Sequence, residues 1–95
     1  MKVRHIRVGK KSVLGINIPM HNAKLIAVIG SKGYIMCGYL NIKTSKKFGD
    51  CAAIIKGVNS IDELLKGKIV EISPVAKKSG IKIGMTGKKA LKKIV

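Results

Sequence analysis

The sequence predicts an α+β fold, in which an N-terminal antiparallel β-meander used for assembly is followed by a compact βα region with two or three short helices. Two observations lead there. Up to residue 43 the apolar residues alternate or run in short unbroken blocks, as strands require, while beyond it they fall into short groups that open on Ser or Thr caps and close on glycine. The chain reads as a single domain over residues 1–95, with 1–43 the β-rich assembly region and 44–95 the mixed region.

Met1 to Val8 is β-branched and basic with apolar residues on both faces, a first strand. Leu14, Ile16 and Ile18 alternate with Gly15 and Asn17, giving a half-buried strand that Pro19 ends. Lys24 to Ile29 is apolar after its lysine, so both of its faces are expected to be covered. Ser31-Lys32-Gly33 then makes a tight connection, with Gly33 free to take positive φ. Tyr34 to Ile42 follows as a longer strand, with Tyr34, Met36, Leu40 and Ile42 on one face and Ile35, Cys37 and Tyr39 on the other. A few short helices can shield only one side of such a sheet. The second apolar face of its central strands therefore calls for another copy of the chain, and a homo-oligomer built through the sheet is expected.

Thr44 to Asp50 is polar and reads as a loop or one irregular turn, and Cys51 to Ile55 as a short buried strand. Ser60-Ile61-Asp62-Glu63 has the form of a capping box, in which the serine hydroxyl accepts from the Glu63 amide; Ile61, Leu64 and Leu65 share a face and Gly67 stops the helix. Lys68 to Ser73 returns as a strand. Ser73 caps a second helix whose first position is Pro74, where the missing N–H has no partner to lose, and Gly80 closes it. Ile81 to Ile83 is a brief extended segment. Thr86 caps a last helix whose Leu91 and Ile94 turn inward.

Charge is the other feature. Twenty Lys and Arg face four Asp and Glu, a net charge of +16, and only Arg4 and Arg7 of the cations are arginines. With 15 isoleucines, this lysine content suits an adenine/thymine-rich coding bias and a hot-living source. At least 16 cations lack an internal acid and must face salt solution or an outside anion. The longest apolar stretch, Leu25 to Ile29, is far short of a membrane span, and Met1 to His5 is not the start of a secretory leader. Two cysteines fit neither a disulfide framework nor a four-ligand zinc site, so a reduced, cytoplasmic protein without metal or cofactor is expected.

Three blocks carry a family resemblance: Gly33-Tyr34-Ile35-Met36-Cys37-Gly38; Gly57-Val58 with Ser60 to Leu65; and Gly80-Ile81-Lys82 with Gly84-Met85, Gly87, Ala90 and Leu91. From residue 33 onward the chain resembles the YunC-like domain of unknown function 1805, a family of small archaeal and bacterial proteins. The resemblance implies an α+β domain whose N-terminal β-region assembles tetramers. It implies no activity and carries over no catalytic or ligand residues. The +16 charge departs from the family's pattern.

Four groups of residues are candidates for chemistry. Cys37 is the candidate nucleophile, which would need a nearby cation or helix N-terminus and a histidine to take its proton; mid-strand, between Met36 and Gly38, a cysteine is ordinarily a small buried hydrophobe. Lys82, Thr86, Gly87 and Lys88 form a candidate anion site at a helix start, although the glycine spacing matches neither the phosphate loop nor the dinucleotide fingerprint. Lys88, Lys89, Lys92 and Lys93 form a basic stripe opposite Leu91 and Ile94, able to lie on nucleic-acid phosphates without reading bases. His5 and His21 are isolated, with nothing in their spacing to make them metal ligands. The reading that follows is an oligomeric, non-enzymatic module that binds a ligand or partner. The alternatives are a non-specific nucleic-acid binder driven by lysine, and an enzyme with an inter-subunit pocket near Tyr34, Cys37 and Gly38.

Overall fold

The computed structural model describes residues 1–39 and 41–95. Six strands form one sheet in the order β1-β2-β3-β4-β5-β6: β1 Lys2–Val8, β2 Lys11–Pro19, β3 Lys24–Ile29, β4 Tyr34–Cys37, β5 Ala52–Ile55 and β6 Glu71–Ile72. The first four are the expected antiparallel meander, with Ile16 opposite Ala27 and Ala27 opposite Met36. β5 then joins β4 in parallel, and β6 returns antiparallel to β5. The helices are α1 Ile42–Phe48, α2 Ile61–Lys66, α3 Pro74–Lys78 and α4 Gly87–Ile94.

The helices divide unequally between the two faces. Val13, Ile26, Val28, Ile35, Cys37 and Ile55 point to one face, where Ile61 and Leu64 of α2, Ala76 of α3 and Leu91 and Ile94 of α4 close the main core. On the other face a smaller core gathers Ala27, Met36, Ala52 and Ile54 under Ile42 of α1. That helix covers the β4–β5 end and Ala27 of β3. Over the rest of β1 to β3 the second face stays open: Leu14, Ile16, Ile18 and Leu25 are half-buried, Val3 is 52% exposed and Ile29 is 42% exposed.

Five expectations need correction. The strand begun at Tyr34 ends at Cys37, and Ile42 opens α1; Leu40 lies outside the described residues. Residues 44–50, read as a loop, belong largely to α1. There the Asn41 side chain accepts from Lys43 N at 2.8 Å and Gly49 ends the helix at φ 72°. Gly33 does not take positive φ. Its hydrogen atom is required because a Cβ there would overlap the Cys51 carbonyl oxygen, which accepts from Tyr34 N at 3.0 Å. Finally, the return strand is only Glu71–Ile72 with an isolated bridge from Lys68 to Thr86, and 81–83 is irregular.

The caps of the later helices are as expected. Glu63 N donates to Ser60 Oγ at 3.1 Å and Lys89 N to Thr86 Oγ1 at 3.3 Å. Ser73 does more than cap. Its buried hydroxyl accepts from Ala76 N at 3.2 Å and from Ala52 N at 3.0 Å, and donates to the Asp50 carbonyl at 2.6 Å. The start of α3 is thereby tied to the start of β5.

Candidate functional site

Cys37 and Tyr34 stand three residues apart on one strand, and an odd separation sends their side chains to opposite faces. Cys37 turns into the main core, 4% exposed, where its sulfur accepts from Ile26 N at 3.3 Å and lies 3.7 Å from the Lys24 carbonyl. Cys51 is buried in the same core, and both thiols are free. Gly38 follows the strand in a turn, its Cα against the aliphatic part of Lys56. Tyr34, Cys37 and Gly38 are therefore not brought to a common pocket within one chain. His5 is exposed on β1 opposite Leu14, and His21 is exposed in the bend between β2 and β3. Among the described residues no three His, Cys, Asp or Glu side chains gather to hold a metal.

On the open face, a hollow of about 400 Å³ is floored by Ile16, Leu25, Ala27 and Met36, with Tyr34 and Ser45 at one end. Tyr34 is the polar hinge of this hollow. Its phenol donates to Asp50 Oδ2 at 2.8 Å, which leaves the Ser45 hydroxyl, 2.7 Å away, to donate to the phenolic oxygen. Burial raises the Tyr34 pKa above its ordinary value of 10.0; the Ser45 hydrogen bond opposes this, and the hydrogen bond and charge of Asp50 reinforce it. The three groups satisfy one another, and the phenol stays protonated at neutral pH.

The candidate anion site at the start of α4 has little free backbone. Gly87 is buried and its N–H donates to the Gly67 carbonyl at 3.1 Å, Lys89 N is taken by the Thr86 side chain, and Ala90 N donates to the Thr86 carbonyl. Lys82 lies in the preceding turn, exposed.

The lysine stripe divides. With Gly87, Ala90, Leu91 and Ile94 buried, a turn of about 100° per residue sets Lys88 and Lys92 beside Leu91 and sends Lys89 and Lys93 around the other flank. Lys93 runs past Gly80. Lys88 and Lys92 instead border a second groove, also about 400 Å³, between the first hairpin and the α2–α4 pair, whose floor includes Ile6, Leu65 and Leu91. Lys66 of α2 stands on the same rim. Asp62 is the acid of this groove, and it is paired outward: Arg4 Nη2 donates to Asp62 Oδ1 at 3.0 Å, and that hydrogen bond, helped by the arginine's charge, holds the carboxyl below its usual range. No sequence spacing announces this groove, because its walls come from opposite ends of the chain.

No helix among the described residues is long and apolar enough to cross a membrane. The fold has a counterpart among solved structures. The chain is 33% identical over 94 residues to the uncharacterized protein YunC of Bacillus subtilis strain 168, an alignment that spans 95% of this chain and 93% of that protein. It is also similar to the crystal structure of a protein of unknown function, TA1206 from Thermoplasma acidophilum, with a TM-score of 0.95 and 39% identity over 99% of this chain and 92% of the other. Residues 36–94, from the end of β4 to the end of α4, match the domain of unknown function DUF1805. The chain belongs to the DUF1805 family.

Proposed function

We propose that the chain is a self-assembling, non-enzymatic binding module whose copies cover one another's open sheet face, with a tetramer as the expected assembly. One observation carries this reading: beyond Ala27, which α1 covers, the second face of β1 to β3 presents a row of partly exposed aliphatic side chains, bordered on β1 by His5 and Arg7. Ile16 pairs with the exposed Val3 across the strands there, flanked by Leu14, Ile18, Leu25 and the exposed Ile29. Each partly exposed aliphatic side chain on it gains on the order of 1 kcal/mol when a second copy removes it from water. A monomer would leave that gain unrealised and keep a sticky face in solution.

The chemistry around the hollow supports binding over catalysis. Tyr34, Ser45 and Asp50 satisfy each other, and Cys37 lies on the far side of the sheet. Assembly would roof the hollow and turn it into an inter-subunit cavity, a place for a small apolar ligand.

Val3→Lys combined with Ile29→Lys tests the reading, since both positions are exposed in the single chain and neither change should disturb its fold. Light scattering should give a mass several times 10.2 kDa for the unmodified chain and about 10.2 kDa for the folded double variant. Equal masses for the two would overturn it.

A further inference from the structure

The geometry points to the groove between the first hairpin and the α2–α4 pair as a binding site for a small organic acid with an apolar body, its carboxylate held by Lys66, Lys88 and Lys92. The groove lies on the helix-covered side of the sheet, so it does not depend on assembly through the opposite face.

Three features of the groove converge on that ligand. The floor is apolar: Leu91 is almost fully buried at its base, with Ile6 and Leu65 half-buried beside it. A volume of about 400 Å³ suits a small molecule and lies at the lower end of the range for ligand pockets. The rim is cationic. Lys88 and Lys92 are successive-turn neighbours on α4, a like-charge pair that is mildly unfavourable when left alone, and Lys66 adds a third ammonium from α2. The one acid that lines the groove, Asp62, is engaged by Arg4 and also meets the charge of Lys66 one turn along α2, which leaves Lys88 and Lys92 without an acid in the lining. An apolar floor under three ammonium groups that face a single, already paired carboxylate is complementary to an anion that carries a hydrophobic tail.

The kind of anion follows from the backbone. Phosphate sites at helix starts use free amide groups, but the amides of Gly87 and Lys89 are donated to Gly67 and Thr86. What remains on the rim is flexible, point-charge lysine; Arg7 also lines the groove, but from between Ile6 and Val8 on β1, where strand alternation directs its side chain to the opposite face. A carboxylate needs nothing more. Nucleic acid, in contrast, would use the lysines and leave the apolar floor empty.

Decanoate, kept below the concentration at which it forms micelles, serves as the probe, with its binding followed by amide chemical shifts in the folded full-length chain. The expected result is saturable binding that moves the Leu65, Lys88, Leu91 and Lys92 signals, at least tenfold weaker for decanol, which has the tail without the charge. Lys66→Glu with Lys92→Glu, both at exposed positions, should weaken decanoate binding at least tenfold while leaving the rest of the spectrum in place. The inference is overturned if decanoate leaves the groove signals unmoved, if the double variant binds it equally well, or if inorganic phosphate or a short DNA duplex shifts the same signals more strongly than decanoate does.

Discussion

The Ile94 carbonyl, near the C-terminus, accepts from Lys32 N at 2.9 Å, and Gly30 packs its bare Cα against the same oxygen so closely that a Cβ would overlap it. The β3–β4 turn thus closes over the end of α4 and fixes the helix on the sheet. The side chain of Ile94, fully buried in the main core, completes that lock.

Gly30→Ala should therefore destabilise the chain by about 2–4 kcal/mol, the cost of forcing atoms into a filled site and displacing a backbone hydrogen bond. Urea unfolding should show the midpoint falling, while Ser31→Ala, at the exposed neighbouring position, should stay within about 0.5 kcal/mol of the parent. An unchanged midpoint for Gly30→Ala would mean that the turn and the helix end are not in contact.

Ser73→Ala removes one hydroxyl that serves Ala52 N, Ala76 N and the Asp50 carbonyl together. A lost helix cap and newly unpaired buried backbone groups together should cost roughly 2–3 kcal/mol. A loss below about 1 kcal/mol, the scale of a cap alone, would show that the link from α3 to β5 contributes nothing.

Tyr34 should titrate above pH 10.0 in the folded chain, since burial and Asp50 both favour its neutral form. A tyrosine whose folded pKa is raised contributes stability that is complete below its unfolded pKa and is lost as pH climbs through the folded value. In the Tyr39→Phe background, tyrosinate absorbance at 295 nm reports Tyr34 alone. A midpoint at or below 10 would contradict the described network.

Both thiols should resist modification. Cys37 and Cys51 are 4% and 5% exposed, so an aromatic disulfide reagent should label neither quickly in the folded chain and both at once in guanidinium. Rapid stoichiometric labelling of Cys37 would revive the reading of it as a nucleophile.

The meander was legible because each of its strands announces itself: Leu14, Ile16 and Ile18 alternate, and Leu25 to Ile29 runs unbroken. The capped helices were legible for a similar reason, since Ser60, Ser73 and Thr86 stand where a helix needs a side-chain acceptor. α1 was missed because Lys43, Thr44, Lys46 and Lys47 are exposed and only Ile42 and Ser45 turn inward, too few for a helical period. Its Asn41 cap and Gly49 stop are present in the sequence, but Ile42 also continues the alternation of Met36 and so reads as strand. The hollow at Tyr34 depends on that missed helix to deliver Ser45. The organic-acid groove joins Ile6 to Leu91, a juxtaposition only the folded sheet creates. The partition of the lysines, with 88 and 92 on one flank and 89 and 93 on the other, is set by helical geometry alone, yet which flank meets a groove is not.

Sedimentation equilibrium of the unmodified chain across micromolar concentrations tests the central claim, that the open face of β1 to β3 is covered by other copies, most directly. A mass that is a whole multiple of 10.2 kDa is expected, four being the expected number. A single species of 10.2 kDa throughout that range would contradict it.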